Sequence, residues 1–188
     1  MKIGIVVYPG SNCERDVFHV LKNILSIDTE YVWYTKDDLS EYDGIIVPGG
    51  FSYGDYLRAG AIAAKTPVTQ ALKEHIKKGK PTLGICNGFQ ILVESGFLPG
   101  ALMTNSTARF ICKWVTLRTE TSFTALTNQI PKGKLLRMPI AHAEGNYYAE
   151  PKVLRKLYAN DQIVFKFVDE LGNPTSKANP NGSIDNIA

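Results

Sequence analysis

Cysteine is scarce in this chain of 188 residues: Cys13, Cys86 and Cys112 are odd in number and widely spaced. That excludes a disulfide framework, and no two of them have the close spacing of a zinc site. No apolar run is long enough to span a bilayer. The opening residues 1–8 are too short for a signal peptide and lack its small-residue cleavage site. There is no low-complexity tract, no internal repeat and no block of one charge; the net charge is +3 and the basic residues are dispersed. The densest cluster, residues 73–80, also carries Glu74 and reads as the solvated face of a helix, not a nucleic-acid patch. What these absences leave is a cytoplasmic protein with reduced thiols that binds neither nucleic acid nor membrane.

What is present is an ordinary globular composition, 44% hydrophobic and 21% charged, on a chain of the length of one domain. Residues 3–8 are a short branched run suited to a central parallel strand. The run breaks at Pro9-Gly10, and Ser11 or Asn12 can cap a helix reaching Leu25, with Val17, Val20, Leu21, Ile24 and Leu25 on one face. Strands are expected over residues 30–34 and 44–47, the second ending at Pro48-Gly49-Gly50. A long loop over 51–60 leads to a helix with Val68, Leu72, His75 and Ile76 as its apolar stripe, stopped by Gly79-Lys80-Pro81. A fourth strand over 82–86 runs into a helix over 87–95.

Strands alternating with helices at this spacing predict an α/β fold, a doubly wound, mostly parallel sheet flanked by helices. From residue 110 the pattern changes. Residues 110–117, 135–140 and 162–168 read as strands with little helix between them, forming a small additional antiparallel layer. Residues 172–186 are polar, contain Pro174, Pro180 and Gly182, and read as loop.

The chemistry centres on Gly84-Ile85-Cys86-Asn87-Gly88. A Gly-x-Cys-x-Gly pattern between an apolar strand and a helix is the cysteine form of the nucleophile elbow. A nucleophile on so sharp a turn sits in strained backbone, and small flanking residues let the turn close. Cys86 would lie at a helix N-terminus, whose exposed N–H groups and positive dipole favour thiolate over thiol. The Asn87 amide would point at a developing oxyanion. Gly49-Gly50, at the end of another strand, can supply a second bare backbone donor.

The remaining candidates carry less. Cys13 is expected to pack at or near the first helix, Cys112 to be a structural strand residue, and His19 and His75 to have no chemical role. Ala141-His142-Ala143-Glu144-Gly145 follows a strand, and its His and Glu, two apart, are a candidate base and orienter for a cysteine nucleophile.

Gly84-Ile85-Cys86-Asn87-Gly88-Phe89-Gln90, Pro9-Gly10-Ser11-Asn12-Cys13 and Pro48-Gly49-Gly50-Phe51-Ser52-Tyr53-Gly54-Asp55-Tyr56-Leu57-Arg58 together resemble the triad-type glutamine amidotransferases, and among them the glutaminase subunits of phosphoribosylformylglycinamidine synthase. Phe110-Ile111-Cys112-Lys113 and residues 139–145 are similar to that family too. The resemblance implies a class I glutamine amidotransferase-like, flavodoxin-like fold over a single domain of residues 1–188. It implies that Cys86 attacks the glutamine side-chain amide, releasing ammonia and leaving a glutamyl thioester. Gly50 and Asn87 would donate backbone N–H groups to the oxyanion. Phe51, Ser52, Gln90, Ala141, His142, Ala143 and Glu144 would bind glutamine. The partners implied are a large synthetase subunit and a small bridging subunit. ATP and magnesium are expected on the synthetase, with no cofactor or metal in this chain. The 53–58 loop is a candidate contact with the synthetase.

One family feature is missing. The family's His and Glu lie in a Pro-His-Pro-Glu segment near the C-terminus, and residues 1–188 contain none. His142 and Glu144 match a different family motif, usually with Gly at the Ala143 position, so triad roles do not pass to them. The expectation is a chain lacking its C-terminal strand and helix or an unseen tail, inactive and poorly stable as it stands, with glutaminase activity returning on extension. Against it stand His142 as base and a catalytically silent docking subunit. A stand-alone cysteine hydrolase or stress protein on a related fold is the remaining alternative.

Overall fold

Ile5 and Val6, in the first strand, have no exposed surface, as a strand covered on both faces requires. The computed structural model describes residues 1–188, and the chain divides into two units, Met1–Leu98 and Pro99–Ala188. The first holds β1 (Lys2–Val7), α1 (Glu14–Phe18), β2 (Asp28–Trp33), β3 (Gly44–Val47), α2 (Pro67–Lys77), β4 (Thr82–Gly84) and α3 (Asn87–Glu94). Its four strands are all parallel, in the order β2-β1-β3-β4. β1 hands the chain outward to β2 and β3 hands it the other way to β4. Strand order therefore reverses between β1 and β3, and the crevice at their carboxyl ends is where such sheets bind ligands.

The core of this unit joins Val6, Val32, Ile45 and Val47 of the sheet to Val68 and Leu72 of α2 and Ile91 and Leu92 of α3. Each such side chain, fully buried, contributes about 1.5–3 kcal/mol. Tyr8 follows β1 with its hydroxyl 2.7 Å from Thr69 Oγ1, and burial pushes its pKa up to about 12. α2 begins on Pro67 and presents Val68, Leu72 and His75 inward as its spacing predicts. Lys73, Glu74, Lys77 and Lys78 face solvent.

The first helix departs from expectation. Neither Ser11 nor Asn12 caps it; Cys13 stands at the N-cap, and Ser11 Oγ instead accepts the Tyr8 N–H at 3.0 Å. After Phe18 the coil widens to a π-helix over His19–Ile24, with Leu25 N–H donating to Val20 O, five residues back, at 3.0 Å. A stripe spaced for 3.6 residues per turn is no longer aligned on such a coil. None of its residues is buried, and Val20, Ile24 and Leu25 stay exposed.

The second unit contains β5 (Ala101–Met103), β6 (Ile111–Thr119), β7 (Leu135–His142), β8 (Asn146–Tyr148), α4 (Pro151–Ala159) and β9 (Phe165–Val168). The expected antiparallel layer is the sheet β7-β6-β9, with Val115, Leu117 and Phe167 in its core. Cys112 lies on β6, exposed. The β5–β8 pair and α4 were not expected. Strands of three residues leave almost no periodicity to read.

Candidate active site

Loops leave the carboxyl ends of β1, β3 and β4, and backbone hydrogen bonds lace the first two together. Cys13 N donates to Gly49 O at 3.2 Å, Phe51 N to Gly10 O at 3.0 Å and Tyr53 N to Pro9 O at 2.6 Å. Ser11 and Gly50 form an isolated antiparallel bridge. Gly50 has φ of 136°, and a Cβ there would lie 2.5 Å from Asn12 N. Only glycine fits so close a backbone approach. Residues 9–13 thus form the rest on which the Gly50 loop is seated, a role their side chains do not announce.

Cys86 follows β4 with φ 53° and ψ −110° and is the N-cap residue of α3. That backbone is strained for a residue with a Cβ, by about 1–3 kcal/mol. The turn closes because α3 runs hard against β3: a Cβ on Gly88 would lie 1.9 Å from Val47 O. The backbone N–H groups of Asn87 and Gly50 both bond toward the Cys86 sulfur. The two amides expected in the oxyanion hole therefore converge on one atom, from separate elements.

The expectation that the helix terminus makes the thiolate the favoured form is corrected. Burial is the largest influence on the Cys86 thiol and pushes it up, with Cys13 and Asp55 pushing the same way. The Asn87 and Gly50 amides pull it down but do not win. The residue as a whole is exposed. Cys13 does more than pack at the first helix, since a Cβ on Gly49 would touch both Cys13 Sγ and Cys86 Cβ, at 3.3 Å each.

Of the expected glutamine-binding residues in this unit, Phe51 is half-exposed, while Ser52 and Gln90 are buried. Ser52 N donates to Asn87 Oδ1 at 3.1 Å, and Gln90 Oε1 accepts from Asn87 Nδ2 at 2.9 Å. The loop is tied to α3 a second time by Arg58, whose Nε and Nη2 donate to the Glu94 carboxylate at 3.0 and 2.6 Å.

Ala141, His142, Ala143 and Glu144 lie in the second unit, at the end of β7 and the turn after it. Three residues that sequence reasoning missed hold them. Asn105, 2% exposed, donates through Nδ2 to His142 O at 2.9 Å and accepts the Gly145 N–H on Oδ1 at 3.1 Å. Asn181, 1% exposed, donates through Nδ2 to Gly145 O at 2.7 Å and to His142 Nε2 at 3.1 Å. Ser183 Oγ donates to Gly145 O at 3.1 Å. Asn181 and Ser183 come from the stretch read as plain loop. These two polar residues are buried partners of backbone, a distinction composition cannot make. The His142 ring, accepting at Nε2 and lowered in pKa by burial, is held neutral.

No group of His, Cys, Asp and Glu residues is arranged to hold a metal ion, and no helix is long and apolar enough to cross a membrane. The family model for the CobB/CobQ-like glutamine amidotransferase domain matches residues 1–188. The chain is 56% identical to the phosphoribosylformylglycinamidine synthase subunit PurQ of Methanosarcina barkeri, over 100% of this chain and 81% of that one. It is 52% identical to the PurQ subunit of Aquifex aeolicus, over 100% of this chain and 83% of that one. Among solved structures, the PurLQS structure from Thermotoga maritima superposes with a TM-score of 0.85 at 43% identity, over 100% of this chain and 79% of that one.

Proposed function

The chain belongs to the glutamine amidotransferase family, and from that premise we infer that it is the glutaminase subunit of phosphoribosylformylglycinamidine synthase. The observation that carries the chemistry is the convergence of the Gly50 and Asn87 amides on the sulfur of Cys86, a cysteine held at positive φ at the start of α3.

The mechanism follows from that geometry. The Cys86 thiolate attacks the side-chain carbonyl carbon of glutamine. The carbonyl oxygen becomes an oxyanion, and the two amides are donors already in place for it, so their hydrogen bonds strengthen as charge develops. Collapse of the tetrahedral species expels ammonia and leaves a glutamyl thioester, which water hydrolyses to glutamate and free thiol. Raised by burial, the thiol is largely protonated until a base takes its proton. His142 is unsuited to that task, because its Nε2 is engaged by Asn181; the reading requires the family's His–Glu pair instead.

Gln90 and residues 141–144 are the proposed glutamine-binding groups, and the buried Asn105 and Asn181 support that assignment by holding residues 141–145 rigid. Ammonia passes to a synthetase subunit, where ATP and magnesium are proposed to act. Tyr56 and Leu57, 73% and 87% exposed, are proposed to meet that partner.

The test is Cys86→Ala in a reconstituted synthase whose glutaminase subunit carries the family's His–Glu segment. Glutamine hydrolysis should vanish while ammonia-dependent amidation persists; loss of both, or survival of the first, would sink the proposal.

A further inference from the structure

The mechanism uses the backbone N–H of Asn87 and leaves its side chain without a task. That side chain is 2% exposed, and its amide is engaged at both ends. Oδ1 accepts the Ser52 N–H at 3.1 Å. Nδ2 donates to Gln90 Oε1 at 2.9 Å and to Asp55 Oδ1 at 3.3 Å. Ser52 stands two residues after Gly50, so one short bond joins the loop carrying one oxyanion donor to the residue that is the other.

Resting on the glutaminase reading above, we propose that the Asn87 side chain is a positioning residue that sets the spacing of the oxyanion hole. The hole is assembled from two elements, the loop after β3 and the first turn of α3. That loop holds Tyr53, Asp55 and Leu57 at φ of 54°, 55° and 71°, which residues with a Cβ resist. Such a loop keeps its shape only where contacts over-determine it. On the Gly50 side that contact is Asn87, and at the far side it is the Arg58–Glu94 pair.

The side chain also has to be an amide. Ser52 N–H needs an acceptor while Gln90 Oε1 and Asp55 Oδ1 need donors, and a carboxamide supplies both from one planar group. An aspartate would place a second carboxylate against Asp55 and lose the donor. A leucine or alanine would remove all three of these bonds at once. Because the Gly50 amide acts most strongly on the oxyanion, an error in its position costs rate and spares ground-state binding.

The experiment compares Asn87→Ala and Asn87→Asp with the wild type in the reconstituted synthase, with kcat expressed per thiol alkylated by iodoacetamide. Asn87→Ala should lower kcat for glutamine hydrolysis by about 30–300-fold. The loss in kcat should exceed any rise in KM, and the rate of Cys86 alkylation and ammonia-dependent amidation should each stay within about 3-fold, well inside the tenfold that one pKa unit represents.

Asn87→Asp keeps the side-chain volume and serves if the alanine variant does not fold. Its carboxyl, buried beside Asp55, stays protonated to higher pH than usual, and in that form offers an acceptor and a donor. Its kcat relative to wild type should therefore rise as pH falls from about 8 to about 6. An active wild type with Asn87→Ala unimpaired in kcat, or with the loss confined to KM, overturns this inference alone, as does a flat pH ratio for Asn87→Asp. A wild-type complex that carries the family's His–Glu segment yet shows no glutaminase activity overturns the glutaminase reading itself.

Discussion

Cys86, the proposed nucleophile, has immediate surroundings that favour the neutral thiol. Its pKa lies above the ordinary thiol value of 9.0 because burial outweighs the two amides aimed at it. Iodoacetamide alkylation of Cys86 should therefore keep accelerating past the pH at which a free thiol levels off. A plateau at or below neutral pH would contradict that balance. A thiol protonated at rest is also protected from adventitious electrophiles until substrate and base are in place. The motif Gly-x-Cys-x-Gly was sufficient to identify this residue, because the steric demand is local to five consecutive positions. The sign of its pKa shift was not legible, since Cys13, Asp55 and Gly50 reach it from other loops.

The same scale decides the role of His142. His142 was a candidate base while only its spacing from Glu144 was known. Asn181 and burial make it a neutral structural ring. Asn181→Ala would remove the donors to His142 Nε2 and Gly145 O, at a cost of about 1–3 kcal/mol for stranded buried partners. Its expected signature is a raised KM for glutamine with kcat nearly preserved, the reverse of Asn87→Ala. Steady-state kinetics on both variants distinguishes them.

Among the elements, the turn between β4 and α3 tolerates least. Gly88→Ala would drive a Cβ to within 1.9 Å of Val47 O, so α3 must withdraw from β3 and carry Asn87 with it. We expect a thermal midpoint many degrees lower together with loss of glutaminase activity; calorimetry and assay on the purified variant check both. The Arg58–Glu94 pair is milder. Arg58 is largely exposed, and such pairs contribute only about 0–1 kcal/mol. Arg58→Ala should leave the melting temperature almost unmoved yet weaken association with the synthetase, because Tyr56 and Leu57 lose the anchor beside them. An unchanged dissociation constant by calorimetric titration would remove that loop from the interface. Helix α1 shows the opposite lesson: its apolar spacing was plain, but the π-helix that leaves the stripe exposed is a choice between hydrogen-bond ladders that spacing does not make.

Across the whole molecule, two imidazoles, His75 buried and His142 half-buried, set an acid limit. His75, 3% exposed, has ring nitrogens without a hydrogen bond of good geometry, and burial lowers its pKa below 6.5. His142 is lowered from 6.5 by the same cause. The unfolded chain therefore binds protons that the folded one refuses. The stability due to neutral imidazoles is complete above about pH 6.5 and is lost as pH falls through it toward the folded values. Chemical denaturation at a series of pH values should show that slope, and His75→Leu should flatten it.

The sequence by itself determined the α/β class, the parallel first half and antiparallel second half, and which cysteine is proposed as the nucleophile. All of these rest on periodicity and on steric rules that act within a few neighbouring residues. Only the tertiary structure decided which way the Cys86 thiol is shifted, that Cys13 stands beside it, and that His142 is neutral. It also revealed that residues 9–13 seat Gly50 and that Asn87, Asn105 and Asn181 bind loops from the inside. Those outcomes depend on hydrogen bonds and burial between segments tens of residues apart, such as Ser52 with Asn87 or Asn105 with Gly145. A side chain of asparagine looks the same in a sequence whether it faces water or joins two such segments.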